Sequence, residues 1–217
     1  MAEFAEPLAP YLCSSVLTQQ VPSIMKQLLA ISCLFISTIV MAQPKPTDLD
    51  KSPMDMSYWP ANYPLLKMKG MAKDQPIARV IYGRPLKGGR TIFGGIIKYN
   101  ELWRMGANEA TEIEFFKNVK IAGKLVAKGR YTFYCMPAEK KWTLILNKDN
   151  FCWGNFTYDG KKDLLRTDVE IEKNSENVEA FTIYFDDIKN GANMVIVWDE
   201  IKSVLPITLA PENTTKK

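Results

Sequence analysis

Between Ile77 and Ala210 the chain breaks into short runs in which apolar and polar side chains alternate every second residue, with turn residues between the runs. Alternation of that period puts one face of a run in a core and the other in solvent, which an extended strand does and a helix does not. Arg79–Tyr82, Thr111–Phe115 and Trp142–Leu146 show it clearly, and Ala122-Gly123-Lys124 joins two such runs as a tight hairpin. Separate strands are predicted at Leu165–Ile171 and Phe181–Phe185, and again at Met194–Trp198 and Leu205–Leu209. No long stretch carries helical spacing; a helix over 99–104 would last little more than one turn. About nine short strands with turns between them indicate an all-β domain over 77–210, an antiparallel β-sandwich, with jelly-roll-like or partly open barrel forms as variants.

What precedes that body reads differently. Residues 25–42 begin with Met25 and Lys26, continue through thirteen uncharged residues from Leu28 to Val40, and end at Ala42. This is the layout of a secretory signal peptide, and the run is shorter than the roughly 20 apolar residues a membrane span needs. The expected product is periplasmic or secreted, with no membrane span after cleavage. Residues 1–24 carry Glu3, Glu6 and three prolines and no cation, and read as a mis-assigned start or an extension. Residues 43–76 hold six prolines among scattered aromatics and methionines, and are expected to form an extended arm without helices or central strands. Residues 211–217 are expected to be a disordered tail.

There is no histidine among the 217 residues, which excludes Ser-His-Asp and Cys-His nucleophile sites and His-ligated metals within one chain. The net charge of +4 is spread along the chain, without the basic block of a nucleic-acid binder. Gly88-Gly89-Arg90-Thr91 lacks the spacing and ending of a phosphate loop, and Gly94-Gly95 lacks dinucleotide spacing, so no cofactor is implied. Asp149-Asn150, Asp159, Asp163 and Asp186-Asp187 read as turn residues without a calcium-loop pattern, so no metal is implied. After residue 42 only Cys135 and Cys152 remain; a disulfide between them and two buried free thiols are both open readings.

The unusual region is Tyr82–Thr111, with six glycines and cations that include Arg84, Lys87, Arg90 and Arg104. Arginines beside glycine turns can present their planar forks to a carboxylate, sulfate or phosphate. A pocket for an anionic or polyhydroxylated small molecule or glycan would use Arg84, Arg90 and Arg104, with Asn108 and Glu109 as hydrogen-bonding groups and Trp103 or Tyr99 as a flat wall. The same residues also read as a structural latch, with Arg104 paired to Glu109 and Asn108 satisfying its own turn. Candidate acids are Glu101, Glu109, Glu112 and Glu114, but no spacing among them identifies a catalytic pair, and no catalytic residue is assigned. The aromatics Trp142, Phe151, Trp153, Phe156 and Tyr158 read first as core or sheet-face residues and second as a surface that stacks on sugars.

Tyr82-x-Arg84-Pro85, Lys87 with Gly89-Arg90, Ile92-Phe93-Gly94-Gly95 and Trp103-Arg104-x-Gly106-Ala107-Asn108-Glu109-Ala110-Thr111 resemble the uncharacterised domain-of-unknown-function 2911 family of exported bacterial proteins. Lys128-Gly129-x-Tyr131, Glu139-x-x-Trp142-Thr143 and Asn147-Lys148 extend the resemblance, which spans about residues 50–210. It implies export and a single β domain and carries no activity. Three functional classes therefore stay open: binding of a small ligand or envelope partner, carboxylate-based hydrolysis of glycans, and a structural or assembly role. The oligomeric state is not determined by the sequence.

Overall fold

The structure is a computed structural model that describes residues 48–211 together with Ser23 and Ile24. The chain divides into a unit over 1–47 and a unit over 48–217, and the second is the folded body. The leader expected over 25–42 and residues 212–217 of the tail lie outside the described residues, as does the extension over 1–24 apart from Ser23 and Ile24.

Nine strands make the body: β1 Met54–Trp59, β2 Ala78–Gly83, β3 Glu112–Phe115, β4 Val119–Ile121, β5 Lys124–Val126, β6 Gly129–Pro137, β7 Lys141–Asn147, β8 Asp163–Ile188 and β9 Gly191–Leu209. All pairings are antiparallel in the order β1-β2-β3-β6-β7-β8-β9-β4-β5, one sheet not closed into a barrel. The alternation sets the register. In β3, Ile113 and Phe115 enter the core while Glu112 and Glu114 face outward, and Ile113 sits opposite Tyr131 of β6.

Two predicted breaks are absent. Leu165–Ile171 and Phe181–Phe185 are parts of one strand, β8, and Met194–Trp198 and Leu205–Leu209 are parts of β9. The polar run between the first pair, Glu172–Asn177, lost the alternation because this stretch of the β8–β9 hairpin is largely solvated. Register shifts between Lys173 and Val178 and between Val178 and Thr182 are the bulges that let β8 bend. Its first part pairs with β7 and its second with β9, so one strand serves both layers around a shared core.

The proline-rich arm also differs from expectation. Met54–Trp59 pairs along its whole length with β2, as an edge strand at one end of the order. Tyr63–Met68 is a short helix, α1, with Pro64 in its first turn, where the missing N–H has no helical partner to lose. Tyr63 anchors it by donating from its hydroxyl to Asp74 O at 2.6 Å.

At the centre of the core lies a nest of aromatic rings. Trp103 stacks on Trp198 with centroids 6.2 Å apart, meets Phe181 at 5.1 Å, and Phe93 meets Trp142 at 5.0 Å. Tyr134, Ile145, Ala110 and Cys152 form a second cluster on the opposite face of β6 and β7. Cys135 points into the main core and Cys152 into this second cluster, with the sheet between them. Both are free thiols, so the bridge weighed from the sequence is not formed: neighbouring residues of a strand face opposite sides, and Tyr134, not Cys135, shares the face of Cys152. Burial also pushes the Cys135 thiol well above its ordinary range.

Candidate functional site

Where β3 begins, the chain that precedes it runs alongside β6. Trp103 and Cys135 exchange backbone bonds of 2.7 and 2.9 Å, and Asn100 N donates to Pro137 O at 2.7 Å. The segment then crosses the end of β2 at a backbone-to-backbone contact. A Cβ on Gly83 would lie 2.2 Å from Ala107 O, and one on Gly106, whose φ is 152°, would lie 2.6 Å from Gly83 O. Only glycine permits that approach at both positions. Thr111 closes the loop, its N–H donating to Arg104 O at 3.0 Å and its hydroxyl to Met105 O.

This crossing leaves a cavity of about 290 Å³ above the aromatic nest. Trp103 and Trp198 form part of its floor, and Arg90, Lys98, Glu101, Arg104 and Asn155 are among its lining residues. Arg104 Nε is buried and has no hydrogen-bond partner. Burial pulls the guanidinium below its ordinary pKa, the sign of a cation held without a compensating charge. Among the described residues Arg104 has no acid partner, and the latch to Glu109 is not made. Among the described residues Arg90 is held by carbonyl groups, donating to Lys87 O at 2.8 Å and to Leu86 O.

The six residues singled out in the sequence therefore divide. Arg90, Trp103 and Arg104 line one cavity. Arg84 belongs elsewhere: its guanidinium donates to Asp55 Oδ2 at 3.1 Å, Phe181 O at 3.2 Å and Thr182 Oγ1 at 3.0 Å, clamping β1 and β2 against β8. Asn108 is a turn residue with φ of 60° whose carbonyl accepts from Gly154 N at 3.0 Å. Glu109 bridges to Trp153 and lines a different cavity, of about 310 Å³, with Glu112, Phe151 and Met54. Tyr99 packs against Gly94.

The acids of β3 are occupied. Glu114 pairs with Arg79 at 2.6 Å and Arg130 at 3.8 Å; Glu112 accepts from Phe151 N at 2.6 Å and meets Arg130 at 3.6 Å. Among the described residues no group of three His, Cys, Asp or Glu side chains could hold a metal ion, and no helix is long and apolar enough to cross a membrane.

Lys98, Asn155 and Trp198 were missed as lining residues. Trp198 showed only core alternation, and Asn155 is brought in from 53 positions away by its Nδ2 bond of 2.5 Å to Leu102 O. The aromatic run also resolves differently from the first reading. Trp142 is core and Tyr158 packs on the second cluster, but Phe151, Trp153 and Phe156 are exposed.

A family profile described as "Protein of unknown function (DUF2911)" matches residues 67–207, from the end of α1 almost to the end of β9. No curated protein and no solved structure matches the chain.

Proposed function

The chain belongs to the DUF2911 family, and from that premise and the cavity geometry we propose that it is a binding domain for a small anionic molecule, held through Arg104 and Arg90 with Trp103 as a wall. The observation that carries this reading is the buried, partnerless Arg104 Nε in a cavity that also receives Arg90 and Lys98. A guanidinium nitrogen left without a hydrogen bond is costly to bury, and an oxyanion satisfies it with a charge-assisted pair. The signal-peptide pattern at 25–42 supports an exported setting for that binding.

Titration calorimetry of the full chain with phosphate, sulfate and citrate tests the reading. Arg104→Met is expected to weaken the best of these by at least about tenfold, the usual worth of a charged hydrogen bond, while leaving the melting curve in place. Unchanged affinity in this variant, or loss of its folded state, overturns it.

Hydrolysis by paired carboxylates has less support, because among the described residues Glu101 is the single acid lining this cavity and Glu112 and Glu114 are engaged by arginines. An assembly role draws on another surface. Met54, Met56, Leu65, Met68 and Met71 stand exposed around β1 and α1, more apolar surface than isolated exposed residues explain. Sedimentation across a concentration series measures whether that surface joins copies of the chain.

A further inference from the structure

Phe151, Trp153 and Phe156 are 82%, 60% and 81% exposed within six residues of the β7–β8 connection. Large rings left in water contribute little to folding, and several together mark a contact surface. Their backbone is pinned at several points. Phe151 N donates to Glu112 Oε1 at 2.6 Å, Ala110 N to Cys152 O at 2.9 Å, and Gly154 N to Asn108 O at 3.0 Å. A segment already fixed gives up little conformational freedom on binding.

The pinned segment adjoins the anion cavity. Asn155 lines that cavity and lies in the chain between Trp153 and Phe156, one residue from Phe156 and two from Trp153. Glu101, an exposed acid with no cation or donor partner among the described residues, lines the same space as Lys98, Arg90 and Arg104. Three features thus meet at one place. Arg104 has a buried Nε for an oxyanion to satisfy, Glu101 is free to accept from hydroxyls, and the segment through Asn155 offers apolar ring faces.

We propose that the cavity and the aromatic segment that adjoins it through Asn155 form one binding surface for an acidic oligosaccharide, with a carboxylated or sulfated sugar at Arg104 and Arg90, its hydroxyls at Glu101 and Asn155, and the next sugar on Trp153 and Phe156. This rests on the anion reading above. A cavity of about 290 Å³ is at the small end for ligand sites and suits a single ring. Further rings must lie outside it, where the exposed aromatics are. A pyranose suits them because its axial C–H bonds form an apolar face that packs on a flat ring, while its hydroxyls point sideways to polar groups.

The experiment compares galacturonate with its trimer, neutral maltotriose and a nucleoside monophosphate by titration calorimetry on the full chain. The trimer is expected to bind at least about tenfold more tightly than the monomer, the gain two stacking contacts supply, and maltotriose to bind weakly. Trp153→Ala combined with Phe156→Ala is expected to bring the trimer-to-monomer ratio close to one. A trimer no tighter than the monomer, a ratio that survives the double variant, or a nucleotide preferred over the trimer overturns the saccharide assignment. Phosphate or galacturonate binding that still depends on Arg104 in those cases leaves the anion reading standing. Absence of all anion binding removes both.

Discussion

Arg84 and Arg104 stand twenty residues apart in one glycine-rich stretch, and the fold treats them in opposite ways. The guanidinium of Arg84 meets Asp55, Phe181 O and Thr182, so each arm of its fork has a partner on β1 or β8. Arg104 reaches a cavity wall with a buried, partnerless Nε. An arginine with all its bonds made is part of the fold's framework. One with a buried nitrogen left unbonded carries a desolvation cost that the fold alone does not offset. The difference separates the latch reading from the pocket reading within a single segment.

The sharpest way to break the contrast is at the crossing that joins the two regions. Gly106→Ala puts a Cβ 2.6 Å from Gly83 O at a φ that side chains rarely adopt. It is expected to cost about 2–3 kcal/mol in urea denaturation, and to disturb both arginines. A smaller effect is expected at the clamp. Arg84 and Asp55 are both 39% exposed, so Arg84→Ala should destabilise by about 1–2 kcal/mol rather than the full worth of three charged bonds. Arg104→Met should change stability by less than about 0.5 kcal/mol, or raise it slightly, because it removes an unsatisfied donor. If Arg104→Met proves more damaging than Arg84→Ala, the two roles are reversed.

A third arginine provides the mildest test. Arg166 is fully engaged, like Arg84, donating to Asp163 Oδ2 at 2.7 Å and to the Tyr158 hydroxyl at 2.6 Å. Burial and the bond to Asp163 raise the Tyr158 phenol from its ordinary 10 to about 12. Its contribution to stability is whole below pH 10. It declines as pH climbs through the raised value, because the unfolded chain releases this proton first. Tyr82, Tyr131 and Tyr134 are shifted the same way by burial, so Tyr158→Phe should flatten only part of the alkaline fall in melting temperature.

Much of the fold was legible because burial on one face writes itself as alternation. Ile113 and Phe115 against Glu112 and Glu114 is the plain case. Legibility failed where that cause is missing. The solvated middle of β8 has no buried face to mark, so one strand read as two; β9 also read as two, at a point where Asp199 takes a φ of 57° and the buried position 203 is a serine. The candidate site was half legible. Gly83, Gly106 and the arginines were visible as types suited to close turns and anions, and Arg90, Trp103 and Arg104 do line one cavity. Nothing local to Arg84 announces that Asp55 and Thr182 wait for it, and nothing near Phe151, Trp153 or Phe156 says that these rings stay in water.

The sequence by itself determined the class of the domain, its antiparallel strands and the absence of imidazole chemistry, since these depend on residue identity and on periods of two. Tertiary structure alone decided which arginine is satisfied, which face each cysteine takes and which aromatics are buried. Those outcomes depend on partners brought from distant positions, and a hydrogen bond or a packed ring exists only where the folded backbone delivers both of its members.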